Sequence, residues 1–151
     1  MTLSETDRLL LLVSRKHGCL NQLHELGRRQ LQLIQDDDLT DLLQVLGVKQ
    51  SLIEDLNQVE RELDPFRPQQ PHQRHWRSEA DRLRCAELLQ GCDQLLAEVV
   101  RQEQASEQLL CVRRDETAAR LQGVHYANQA RGAYAAEQSQ YIGHLDLSTE
   151  S

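Results

Sequence analysis

The stretch LRCAELLQGCDQLLAEVV, residues 83–100, opens the pattern that decides the fold. Cys85, Leu88 or Leu89, Cys92, Leu95 or Leu96 and Val99 recur in steps of three and four, the spacing of one helical face, and Leu109 continues the same stripe. Apolar residues continue at helical spacing to beyond Tyr134. At about 1.5 Å per residue, the two preceding segments of roughly 30 residues would each span about 45 Å, and this one, if continuous, about 80 to 90 Å. Part of the last helix therefore lacks a partner in the chain. Such a segment is most simply a docking surface for another protein.

Upstream, a first helix is expected over about residues 4–34, with a stripe of Leu9, Val13, Lys16, Leu20, Leu23, Gly27, Gln30 or Leu31, and Ile34. Lys16, Gly27 and Gln30 interrupt it and point to a close-packed or wet layer, or simply to an imperfect surface helix. Asp36, Asp37 and Asp38 favour caps and turns over helix interiors. A second helix follows over 39–64, with Leu39, Leu42, Leu46, Lys49, Leu52 or Ile53, Leu56, Val59 and Leu63 on its stripe. Pro65 ends it by restricting Asp64 and removing a donor. The short turn between the two makes an antiparallel hairpin.

Residues 65–75 hold Pro65, Pro68 and Pro71 and read as an extended connection. Ser78 followed by Asp81 resembles a capping box, so the third helix is expected over 78–138, with a tail over 139–151. Gln102, Glu103 and Ser106 put polar residues on its facing positions, where the core is expected to thin. Farther on the apolar positions become small, and Gly123, Gly132 and Gly143 lower helix propensity. This last part reads either as a frayed tail or as a partner-binding helix, and the second reading is preferred. The expected fold is all-α, one domain over 1–151: a helical hairpin plus a long third helix in a three-helix, coiled-coil-like bundle.

At 151 residues the chain can bury one modest core, and with 3% aromatics that core is built from Leu, Val, Ile and Ala. A net charge of −7 excludes the clustered basic face that nucleic acid requires. The acid is uneven. Residues 35–64 carry nine Asp or Glu against Lys49 and Arg61, whereas 65–84 carry Arg67, Arg74, Arg77, Arg82 and Arg84 against Glu79 and Asp81. Cys19, Cys85, Cys92 and Cys111 match neither a disulfide framework nor a metal-site spacing, and Cys85 and Cys92 stand one heptad apart, as core residues would. Reduced thiols suit the cytoplasm, the expected location. Leu9 to Val13 is too short for a membrane span and has no basic leader before it.

The chemistry-bearing residues do not assemble into a catalytic pattern. Phosphate loops, paired Cys motifs and nucleophile elbows are all missing from the sequence. No Glu is followed three residues later by His, which removes the di-metal bundle signature. His72 and His75 sit in the Pro-rich connection without neighbouring Cys or carboxylate ligands. His17 and His24 lie about 10 Å apart along a helix and cannot share an ion. The expectation is a protein that binds proteins, with no enzyme activity, cofactor or metal.

From Leu23 to Pro65 the residues resemble the FlgN-like flagellar export chaperones: Gln30 and Ile34 late in the first helix, Asp37 and Asp38, Leu42 and Leu43, Lys49 and Gln50 with Leu52 and Leu56 behind, then Asp64 and Pro65. The resemblance extends to a long third helix and to an Ala- and Tyr-containing region at Ala130 to Tyr134, and covers most of the chain. It implies a cytosolic bundle that binds the C-terminal helices of hook-filament junction (hook-associated) proteins and delivers them to the export apparatus. Carried onto this sequence, client binding falls on Leu109, Leu121, Val124, Ala127, Ala130, Tyr134, Ile142 and Leu145. Self-association through the same region is the related possibility. A structural coiled-coil subunit of a cytosolic assembly is the alternative function.

Overall fold

The computed structural model describes residues 2–150, with side chains described for 2–139. It is helical throughout: α1 (Leu3–Gln35), α2 (Leu39–Leu63) and α3 (Glu79–Glu150), with short 3-10 turns at Asp64–Phe66 and Pro71–Gln73 and no strand among the described residues. The chain divides into two compact units, Met1–Leu109 and Leu110–Ser151. The division falls where the Leu-rich stripe gives way to small residues.

Each boundary has a local cause. Thr2 caps α1 through a reciprocal capping box with Glu5. This starts the helix ahead of the Ser4 or Thr6 that the sequence pattern favours. Asp37 adopts a positive φ of 56°, which Asp tolerates better than most residues, and so closes the turn without glycine. The Asp38 side chain then accepts the Asp41 N–H at 3.1 Å and caps α2. Ser78 Oγ likewise accepts the Asp81 N–H at 3.1 Å ahead of α3. That helix passes through Gly123, Gly132 and Gly143 without a break and extends to Glu150, where a separate tail from 139 was expected. Three spaced glycines cost about 1 kcal/mol each relative to Ala. No proline follows Pro71 to remove a donor.

In the first unit the three helices pack against one another around three apolar clusters. Leu9, Leu12 and Val13 meet Val59, Leu63, Phe66 and Cys85 at one end. Leu20 and Leu23 meet Cys92, with Leu52, Leu56, Leu95 and Val99 around them. Leu33 and Ile34 meet Leu42 and Val45, with Leu26 and Leu109 packed alongside. Leu39 and Leu46, expected on the core stripe, are exposed, and Val45 is buried in their place. The α2 core stripe is thus Leu42, Val45, Lys49, Leu52, Leu56, Val59: the same three-and-four rhythm, set one position earlier at Val45.

Between the second and third clusters lies a polar layer. Lys49, only 5% exposed, donates to Gln30 Oε1 at 2.6 Å and pairs with Glu103. Burial holds its ammonium below the usual lysine range. Gln102 donates from Nε2 to the His24 carbonyl at 2.9 Å, and its amide lies against Gly27, where a Cβ would come within 2.7 Å of Gln102 Cδ. Ser106 is buried beside them in sequence register. The thinning core expected here is therefore a hydrogen-bonded layer, and the apolar packing resumes beyond it at Leu109.

The connection is fastened to the bundle end. Thr6 Oγ1 donates to the His75 carbonyl at 2.7 Å, Arg77 pairs with Asp7 at 2.6 Å, and Arg74 donates to the Phe66 carbonyl at 3.1 Å. Among the described residues no helix is long and apolar enough to cross a membrane.

Candidate functional site

The second unit, taken by itself, is one helical segment whose described side chains are almost all turned to solvent. Every residue from Arg114 to Ser139 is exposed. Leu121 is 65% exposed, Val124 56% and Tyr134 63%, and Ala127 and Ala130 are exposed with them. At about 100° per residue, Val124, Ala127 and Tyr134 share a strip roughly 80° wide, with Leu121 about 60° beyond one edge and Ala130 about 40° beyond the other. Ala127 and Ala130 leave shallow notches between the larger side chains, where another backbone can approach closely.

Leu109 belongs to the first unit and packs against the cluster of Leu33, Ile34, Leu42 and Val45. The side chains of Ile142 and Leu145 lie outside the described residues. Five of the eight sequence-assigned positions, Leu121 to Tyr134, thus fall on an exposed helical segment, and Leu109 serves the core instead. Its charges pair locally, Arg113 with Glu116 at 3.5 Å and Arg114 with Asp115 at 3.4 Å. Residues 117–136 contain Arg120 and Arg131 and no acid.

Elsewhere, hollows open on the first unit among the described residues. One, of about 540 Å³, is lined by His17 and Asn21 of α1 and Gly91, Gln94, Glu98 and Arg101 of α3. Another, of about 430 Å³, lies under the connection between Pro71, Arg74, Trp76, Cys85 and Leu89. Burial pushes the Cys85 thiol above the usual thiol range, with Arg74 opposing. Cys92 is raised in the same way, mainly by burial. No group of three or more His, Cys, Asp or Glu able to hold a metal ion occurs among the described residues.

Comparison of the chain with protein-family models, curated proteins and solved structures gives no match.

A second exposed apolar set was missed by the single-stripe reading. Leu43, Leu46, Ile53, Leu89, Leu96 and Val100 are all exposed in the first unit. Their sequence signal is the doublet: Leu42-Leu43, Val45-Leu46, Leu52-Ile53, Leu88-Leu89, Leu95-Leu96 and Val99-Val100. In each, the first residue is buried or half-buried and the second exposed. Doublets taken as alternatives for one stripe are two stripes about 100° apart.

Proposed function

We propose that this chain is a cytosolic binding protein of the flagellar export chaperone type. It holds the C-terminal helix of a hook-filament junction protein against the exposed strip of Leu121, Val124, Ala127 and Tyr134 and passes it to the export apparatus. The observation that carries the reading is the exposure of those side chains on a continuous helix, with alanines between them. Their burial under a client helix would be worth about 1.5 to 3 kcal/mol for each large side chain before ordering costs. A client helix so covered is kept from its own partners, and no turnover or cofactor is involved. The resemblance over Leu23 to Pro65 supports the family-level reading.

We further infer that α1 and α2 form an antiparallel hairpin. Support comes from the core contacts, which pair Leu9 with Leu63 and Leu33 with Leu42.

The test is capture of a hook-filament junction protein's C-terminal segment by the full chain and by the variant L121D/V124D/Y134D. Charge at these positions should abolish capture, while circular dichroism and urea unfolding of the first unit stay as in the wild type. Undiminished capture by the variant removes the strip as the binding site. A stable oligomer of the protein alone that the same variant disperses would instead favour a permanent structural assembly.

A further inference from the structure

The exposed halves of the doublets converge on one groove. On α2, the flank one position before the core stripe faces α1: Asp41 pairs with Arg29 at 3.8 Å, and Glu62 with Arg8 and Arg15 at 3.6 and 3.7 Å. The opposite flank, carrying Leu43, Leu46 and Ile53, is turned toward α3. On α3, the flank one position before the core stripe, at Gly91, Gln94, Glu98 and Arg101, lines the hollow shared with His17 and Asn21 of α1. Its other flank carries Leu96 and Val100 and faces α2, as Glu103 on that flank shows by reaching Lys49.

The three grooves of the bundle therefore differ in kind. That between α1 and α2 is crossed by ion pairs, that between α1 and α3 mixes His17, Asn21, Gln94, Glu98 and Arg101 with Leu95 and Ala97, and that between α2 and α3 is bordered by exposed Leu, Ile and Val. Over residues 39–57 and 89–107 the flank positions bordering it also carry Asp93, Glu103 and Glu107 and no Lys or Arg. Lys49, the nearest cation, is buried and already paired.

We propose that the α2/α3 groove of residues 39–107 receives one helix of a partner protein, with an apolar seam flanked by Lys or Arg, completing a four-helix arrangement. An apolar floor edged by Asp93 and Glu107, with Glu103 already paired with Lys49, selects that charge pattern. The same groove of a second copy is disfavoured as the occupant, because it would set acidic flank against acidic flank. The apolar stretch from Leu43 to Ile53 is about 15 Å long, and a docked helix of about 18 residues would cover it with a turn to spare at each end. This surface lies wholly in the first unit and stands whether or not the C-terminal strip binds a client.

The probe is a synthetic 18-residue-class amphipathic peptide, about 27 Å long as a helix, with Leu on its seam and Lys on its flanks. Its twin has Glu in place of Lys. Fluorescence anisotropy with the full chain should show the Lys peptide binding at least about tenfold more tightly, with the preference shrinking as salt screens it. The double variant I53S/L96S should lose about tenfold or more in affinity, from the removal of two apolar contacts. The control L11S, at an exposed leucine of α1, should bind as the wild type does. All three residues are exposed, so circular dichroism should be unchanged in both variants. Equal binding of the two peptides, or equal affinity of I53S/L96S and L11S, overturns the proposal. So does a homodimer in sedimentation that I53S/L96S disperses, since the occupant would then be a second copy.

Discussion

Replacing Lys49 by Met tests what the polar layer contributes. Met matches the length and helix propensity of Lys, so the change isolates the charge. Two terms oppose each other. The ammonium is buried, and its desolvation costs several kcal/mol. Its hydrogen bonds to Gln30 and Glu103, each involving a charged group, return about 1.5 to 3 kcal/mol apiece. Removing it leaves Gln30 Oε1 without its donor, at about 1 to 3 kcal/mol, whereas half-exposed Glu103 simply rehydrates. K49M should therefore change stability by no more than about 1 kcal/mol in either direction. Q30L alone strands the cation with one partner and should cost about 1.5 to 3 kcal/mol. The double variant K49M/Q30L removes both polar partners and should be more stable than the wild type by about 1 to 4 kcal/mol. Urea unfolding of the four proteins closes the cycle. A K49M loss above about 3 kcal/mol that Q30L fails to restore would refute the reasoning, because the layer would then be a net source of stability.

Gly27→Ala should destabilise by about 0.5 to 2 kcal/mol despite its helix propensity, since the new Cβ displaces the Gln102 amide from the His24 carbonyl; G27A/Q102A should recover most of that loss in urea unfolding. Thr6→Val leaves the His75 carbonyl without its donor and should cost about 1 to 2 kcal/mol, with faster proteolytic cleavage in residues 67–78 as the local readout. Cys85 and Cys92 have folded pKa values raised by burial, so their contribution to stability is fully present below about pH 8.5 and is lost as pH rises through the folded values. Lys49 acts oppositely: its folded pKa is lowered, so its contribution grows as pH rises toward the unfolded lysine value. Comparing C85A with the wild type in urea at pH 7 and pH 10 separates the two, and C85A should lose less stability over that interval.

The helix boundaries were legible because their causes are local: three consecutive aspartates, Pro65, and Ser78 three residues before Asp81. Burial of Cys85 and Cys92 was legible from the heptad step between them. Gly27, Gln30 and Lys49 were visible as gaps in two separate stripes, but nothing local says that these gaps lie at one level of the bundle. That alignment depends on how the helices stagger, and a stripe does not encode stagger. For the same reason Gln102, Glu103 and Ser106 read as the end of the core when they lie between two of its clusters, with Leu109 packed beyond them on the cluster of Leu33 and Leu42. The Thr6 to His75 bond joins residues 69 positions apart and leaves no periodic trace. The exposed doublets did leave a trace, lost when each pair was reduced to a single core position.

The strip from Leu121 to Tyr134 is the face that a client helix is expected to cover. Amide hydrogen exchange across residues 110–139 of the full chain, with and without a hook-filament junction protein's C-terminal segment, measures this. Fast exchange in the free protein that slows over 117–136 on addition of the segment is the predicted result, with little change over Leu9 to Val59. Capture of the segment with no added protection between Leu121 and Tyr134 would contradict it.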